Sequence, residues 1–247
     1  MKKLIAALVL VLLIAAGAFW FLFTGASVDD AKEMVQKVNP FARNSVILAL
    51  EKKAIVGDLD AQLKLAHAYA SGEVKGGVNH KKALEWYYKA AQQGNVKAQV
   101  AIGQMYEKGL GIGQDHFRAA EWFRVAAGPG KDADAQFSLG QMYASGRGVP
   151  NDYDKAVHFY RLAADQGHPA AQFLMGAMYG EGWGVKKNPV EAYKWFLLAM
   201  DNEEAVIAVN KKYNPTARRN ALAAKMNRSQ IEEADAAAEA WRRAHKR

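Results

Sequence analysis

An all-α chain built as a solenoid of stacked repeats is predicted by three observations: a pattern that recurs four times, the helical spacing of its fixed positions, and a glycine that closes its first half. The copies align on Gln62, Gln99, Gln136 and Gln172, which stand 37, 37 and 36 residues apart. An aliphatic residue or Met follows three positions later (Leu65, Ile102, Leu139, Met175), then a small residue (Ala66, Gly103, Gly140, Gly176). Tyrosine comes at the seventh position (Tyr69, Tyr106, Tyr143, Tyr179) and glycine at the tenth (Gly72, Gly109, Gly146, Gly182). Self-similarity at such a period marks a stacked repeat architecture.

The first half of each unit is predicted to be helical because its fixed positions, 0, 3, 4 and 7, make one stripe of an α-helix. The glycine after the tyrosine suits the left-handed residue that ends a helix. The second half carries an aromatic pair: Trp86-Tyr87, Trp122-Phe123, Phe159-Tyr160 and Trp195-Phe196. Alanine stands three positions before and four after its first member, for example Ala119 and Ala126 around Trp122, which is the same helical stripe. A helix-spaced aromatic stripe is what a buried face requires, so it reads as core rather than as a ligand box. Each large side chain buried there contributes about 1.5–3 kcal/mol. Glycine inside a helix costs roughly 1 kcal/mol relative to alanine, yet Gly103, Gly140 and Gly176 recur at one interior position. We expect two helix backbones to approach closely there.

These residues resemble the Sel1-like repeat, a relative of the tetratricopeptide repeat. The segments AQFSLGQMYASGRGV from Ala135 and AQFLMGAMYGEGWGV from Ala171 carry the resemblance most fully. It implies antiparallel helix pairs stacked into a right-handed superhelix with a concave face, used as an adaptor or scaffold rather than for one shared chemistry. Four repeats are expected over residues 58–201, at about 58–94, 95–131, 132–167 and 168–201. Some members of the family carry a disulfide in each repeat, and this chain has no cysteine.

A stack exposes apolar surface at both ends and needs atypical capping units. Residues 24–57 are expected to supply a linker and N-terminal caps. A short helix over 28–38 would stop at Asn39-Pro40, since the residue before proline avoids the helical region, and a lone second helix would follow over 44–56. Residues 202–247 are expected to cap the other end, with helices over 203–212 and 216–226. Asn227 and Gln230 form a capping-box pattern that opens a last helix to about His245, with Ile231, Ala234, Ala238 and Trp241 on its apolar side.

Ahead of all this, residues 1–3 carry Lys2 and Lys3, and residues 4–23 are uncharged and mostly apolar. Twenty such residues are enough to cross a bilayer. The lysines before the run and the mixed charges after it place the N-terminus in the cytoplasm and the repeats outside it. The expected location is therefore a bacterial inner membrane, single-pass, with the repeat domain in the periplasm. The rival reading is a cleaved secretory signal with a site near Ala16-Gly17-Ala18, which would leave a soluble periplasmic protein. That cut would expose Phe19-Trp20-Phe21-Leu22-Phe23 at the new terminus, so an uncleaved anchor is favoured.

Patterns for chemistry are lacking. The six histidines show no i, i+4 pairing and no HExxH, so no zinc site is expected. Gly109-Leu110-Gly111-Ile112-Gly113 follows a helix rather than a strand and lacks the context of a phosphate loop. No catalytic residue, cofactor or metal is expected, and the chain is not expected to be an enzyme. Of the net charge of +8, +4 falls from Asn202 onward, densest at Arg242–Arg247. This run suits either an anionic partner or cations at a helix C-terminus; nucleic acid is disfavoured by the exported location.

With 0, 3, 4 and 7 facing the core, positions +2, +5 and +9 of each first helix should face away and line a concave protein-binding surface. These are Lys64, His67 and Ser71; Ala101, Gln104 and Lys108; Ser138, Gln141 and Ser145; and Leu174, Ala177 and Glu181. The reading is a membrane-anchored scaffold that binds a protein partner and assists assembly or regulation of an envelope complex. The alternative is a peptidoglycan- or polysaccharide-binding envelope protein. Residues 4–23 are expected to remain in the mature chain, and the intact mass of membrane-extracted protein checks this: a mature start near Phe19 or Ser27 overturns the anchor.

Overall fold

The computed structural model describes residues 40–128 and 132–245, with side-chain packing from Ser45 onward. The expected anchor at 4–23, the expected helix over 28–38, and Lys246 and Arg247 lie outside the described residues. No helix among the described residues is long and apolar enough to cross a membrane. The described residues form twelve helices and no strand. Packing divides the chain into two compact units, one running to Trp86 and the other from Tyr87 onward.

The first unit contains α1 (Pro40–Ile55), α2 (Leu59–Ser71) and the opening of α3 (His80–Gln92). The lone helix expected over 44–56 begins earlier, because a proline at the first helical position is preorganised by its fixed φ and lacks only an N–H that would have no partner there. α1 packs on α2.

The second unit contains α4 (Val96–Lys108), α5 (His116–Ala127), α6 (Ala133–Ser145), α7 (Tyr153–Asp165), α8 (Pro169–Glu181) and α9 (Pro189–Met200). They pair as hairpins, α4 with α5, α6 with α7 and α8 with α9, and α5 packs on α6 as α7 does on α8. The caps follow a rule. First helices open on Asp58, Asn95, Asp132 and His168, whose side chains accept from the N–H three residues on. Second helices open on Asn79, Asp115, Asp152 and Asn188 in the same way. Each cap satisfies a donor that the helix cannot satisfy itself. Gly72, Gly109, Gly146 and Gly182 end the first helices in the left-handed region, as expected. Each turn is then pinned, because the backbone N–H of the next cap donates to the carbonyl of the repeat tyrosine: Asn79 to Tyr69, Asp115 to Tyr106, Asp152 to Tyr143 and Asn188 to Tyr179.

The recurring helical glycines have a different partner from the one expected. It is a ring. A Cβ built on Gly103 would lie 2.7 Å from Phe123, one on Gly140 2.5 Å from Tyr160, and one on Gly176 2.7 Å from Phe196. The second member of each aromatic pair therefore fills the notch that the glycine leaves, and Phe123, Tyr160 and Phe196 are buried. The first members, Trp122 and Phe159, are only partly buried. Trp195 is buried because the C-terminal cap covers it.

First helices are also buried on a second flank. Val100, Phe137 and Phe173, one position after the glutamine, and Met105, Met142 and Met178, six after it, are all buried. Phe137 stacks on the ring of His168, the cap of the following first helix, at 4.4 Å. At the end of the array Phe173 stacks instead on Tyr213 at 4.7 Å. Tyr213 stands where another repeat would.

That residue links α10 (Glu203–Val209) to α11 (Pro215–Ala223). α10 stops short of the expected 212 because Asn210 turns extended, and α11 starts one residue early on Pro215 and ends at Ala223. The last helix, α12 (Arg228–His245), packs with α11 on α9. Its capping box forms as expected: Gln230 N–H donates to Asn227 Oδ1 at 2.9 Å, and Asn227 N–H to Gln230 Oε1 at 3.0 Å. Ala234 and Ala238 are buried in it.

Phe123→Ala is expected to cost about 3–5 kcal/mol and Trp122→Ala less. Gly140→Ala is expected to lose about 1–3 kcal/mol through overpacking against Tyr160, although alanine is the better helix former. Urea denaturation followed by circular dichroism measures both differences.

Candidate protein-binding surface

Two polar rows tie successive helices together and limit what is left for binding. The aligned glutamines are the first row. The Nε2 atoms of Gln62, Gln136 and Gln172 donate to the carbonyls of Ala54, Ala127 and Ala164, at 3.1, 3.4 and 3.3 Å. Each carbonyl lies near the end of the preceding helix, where backbone acceptors lack helical partners. All three glutamines are buried, so a bond is required of them.

The repeat tyrosines are the second row. Tyr69 donates its hydroxyl to Glu51 at 2.9 Å. The hydroxyls of Tyr88 and Tyr106 meet at 2.7 Å. Arg124 lies beside Tyr143, which holds the guanidinium above its ordinary value, and Arg161 donates to Tyr179. Glu51, Tyr88, Arg124 and Arg161 occupy one register position, two residues before the first of the helix's closing alanines or its equivalent. Burial first, and then the bond to Tyr106, push the Tyr88 hydroxyl up to about 12, so Tyr88 stays neutral at ordinary pH. The sequence pattern did not reveal this coupling, because four copies fill the position with three different residue types.

Burial on two flanks leaves the first helices with little free surface, and most of it lies at the expected positions. In the first unit Lys64, His67 and Ser71 are exposed. Lys64 pairs with Asp60 at 2.6 Å, and Ser71 donates to Glu73 at 3.0 Å. In the second unit Gln104 and Lys108 on α4 are exposed and Ala101 is partly buried. Of the three expected positions on α6 only Ser145 is exposed. Ser138 donates to the Asp134 carbonyl at 2.8 Å, and Ser145 to the Gln141 carbonyl at 2.7 Å.

The surface then closes. Gln141 is half-buried, with Tyr213 beside it. Leu174 and Ala177 pack against the cluster built on Phe173, Phe196 and Val206, together with Tyr213 and Leu222. The expected row at Leu174, Ala177 and Glu181 is thus not an open face: the chain's own C-terminal segment covers the first two, and only Glu181 is exposed. The basic C-terminal run is also partly committed. Arg242 makes a two-pronged pair with Asp201, both contacts at 2.8 Å, and a further pair with Glu239. Arg243 is exposed, and His245 stacks on Trp241 at 4.1 Å.

Among the described residues no group of His, Cys, Asp or Glu is placed to hold a metal ion. Helix hairpins in register, tied edge to edge by the same polar contacts, define a repeat solenoid, a class whose extended surfaces bind other molecules. The Sel1 repeat model matches residues 59–95, 96–127, 133–168 and 169–202, more than half of the chain, and the chain belongs to the Sel1 repeat family. This fold is typical of protein-interaction scaffolds, and the family is in general not catalytic. The structure is similar to that of c5321, a protective antigen of uropathogenic Escherichia coli with an SLR fold, at 28% identity and a TM-score of 0.67. The similarity covers 94% of this chain and 52% of the antigen, so the chain spans about half the length of that protein. A Sel1 repeat protein from Oxalobacter formigenes is similar at 25% identity and a TM-score of 0.55, covering 88% of this chain and 87% of the other. No match is found among curated proteins.

Gln172→Met removes one contact between helices while the Ala164 carbonyl keeps the N–H of Gly167. The expected loss is about 1 kcal/mol, read from the urea midpoint, with no change in helix content.

Proposed function

We propose that the chain is a membrane-anchored scaffold that takes a protein partner on the open row of its first helices and supports a complex of the cell envelope. One observation carries the reading. Gln104, Lys108 and Ser145 are exposed on helices buried along both flanks, so packing does not dictate their identity. A rigid row of this kind can be read by an extended partner at small entropic cost to the scaffold. The envelope location rests on the sequence, where an apolar run long enough to span a bilayer follows two lysines.

Packing of Leu174 and Ala177 into the cluster around Phe173 and Val206 directs the partner to α4 and α6 within the second unit. Replacing Gln104, Lys108 and Ser145 together with glutamate tests the reading without disturbing the core. Co-purification from detergent-extracted membranes is expected to fall at least about tenfold, equivalent to about 1.4 kcal/mol, at an unchanged melting temperature. Unchanged recovery, combined with its loss in Arg243→Glu lacking the last two residues, would move the interaction to the basic terminus.

A further inference from the structure

Along the edge formed by the turns within the repeats, the second unit carries exposed aromatic rings that packing does not explain. In the last two turns the second glycine seats on the start of the second helix one repeat earlier. A Cβ on Gly148 would lie 2.2 Å from the His116 carbonyl oxygen, and one on Gly184 2.4 Å from that of Tyr153. Both glycines have positive φ, 71° and 65°. The turn tips are therefore held at fixed positions, and Trp183 is carried on one of them between Gly182 and Gly184.

Trp183 is 50% exposed and Tyr153 42% exposed. Their rings lie 6.2 Å apart and within 29° of parallel, stacked on each other. Phe117, 63% exposed, follows His116 at the equivalent joint one repeat earlier. The corresponding turn positions in the other two copies of the second unit are Leu110 and Arg147, so a tryptophan is not required to make the turn. Isolated exposed apolar side chains are ordinary; a rigidly seated, near-parallel pair is not.

We infer that this edge is a glycan-binding platform on which Trp183 and Tyr153 stack against the flat faces of a β-linked, uncharged oligosaccharide. A pyranose with equatorial substituents presents an apolar C–H face to the electron-rich face of an aromatic ring, while its hydroxyl rim requires polar neighbours. The flanking positions supply them. Asp154 follows Tyr153 in the chain, and Glu181 stands beside the turn; both are exposed. An open cleft after Trp183 is lined by Tyr179, Val185, Lys186, Lys187, Asn188 and Pro189. A protein partner fits less well, because a stable protein interface needs about 800 Å² from each side, and here two rings are set among charged and polar residues. Phe117 is exposed at the joint one repeat earlier. This surface is separate from the row on α4 and α6, and the inference does not rest on the scaffold reading.

The test uses the full chain in detergent, titrated with a β-1,4-linked N-acetylglucosamine hexamer and, separately, a β-1,4-linked glucose hexamer. Tryptophan fluorescence and calorimetry report binding. Saturable binding of either sugar supports the inference, and the difference between them shows whether the acetamido group is read. Trp183→Ala and Tyr153→Ala are each expected to weaken binding about tenfold, and Phe117→Ala less, while the exposed control Val125→Ala leaves it unchanged. All four positions are exposed, so folding should survive, and melting temperatures confirm it. No binding of either hexamer, or binding indifferent to Trp183→Ala, overturns the inference, as does loss of a protein partner in Trp183→Ala without any sugar binding. Loss of partner capture in the Gln104, Lys108 and Ser145 variant with sugar binding intact would leave it standing.

Discussion

Within each repeat of the second unit an aromatic ring rests on a glycine, and much else follows from that contact. Phe123, Tyr160 and Phe196 lie so close to Gly103, Gly140 and Gly176 that no Cβ fits between them. The contact sets how near the two helices of a hairpin come and where along their length they cross. Helix propensity alone would favour alanine by roughly 1 kcal/mol. Burial of a whole ring contributes more than that, about 1.5–3 kcal/mol, so the packing term wins. The alanines flanking the ring, such as Ala119 and Ala126, are fully buried and complete the same tight surface.

Once the hairpin is fixed, the array needs joints between hairpins, and these are partly polar. A buried glutamine on the first helix reaches back to a carbonyl at the end of the previous one, and the repeat tyrosine reaches a side chain on that same helix. Such groups cannot be buried without partners, so each joint has a defined register instead of a merely apolar contact that could slide. Where the array stops, Tyr213 takes over the stacking that a further repeat would provide, and α12 covers Trp195. The end is closed by imitation of the repeat. In consequence the last first-helix row is covered at Leu174 and Ala177, and the open surface ends before it.

The periodic pattern makes the helices, their glycine caps and the four repeats legible in the sequence, because spacing of 0, 3, 4 and 7 has one physical meaning on a helix. The capping box at Asn227 and Gln230 is legible for the same local reason. Three features are not. The seat of Gly140 on Tyr160 was open to a backbone approach as well, since a recurring glycine marks closeness without naming the neighbour. The tyrosine joints are hidden because Glu51, Tyr88, Arg124 and Arg161 are chemically unlike; only their shared register in three dimensions shows that they serve one purpose. The covering of Ala177 depends on the return of a segment from Tyr213, more than thirty residues away, through a region whose sequence has no repeat to read.

The surface left by these constraints sorts into positions that packing dictates and positions that it does not. On a first helix the residues at −1, 0, 1, 3, 4, 6 and 7 are taken by the hairpin, by the neighbouring hairpin or by the joints. The turn tips are restricted in backbone by glycine but unrestricted in side chain, which is why Leu110, Arg147 and Trp183 can occupy equivalent places. A repeat protein can therefore change what it binds in two ways without touching its core: along the +2, +5 and +9 row, and at the tips. In this chain the row is polar where it is open, at Gln104, Lys108 and Ser145, and the aromatic character lies at the tips, at Trp183 beside Tyr153. Polar side chains on a rigid row suit directional contacts to a peptide backbone, whereas bare ring faces offer area without direction. The two surfaces thus differ in chemistry, and that difference favours two kinds of ligand over one ligand bound twice.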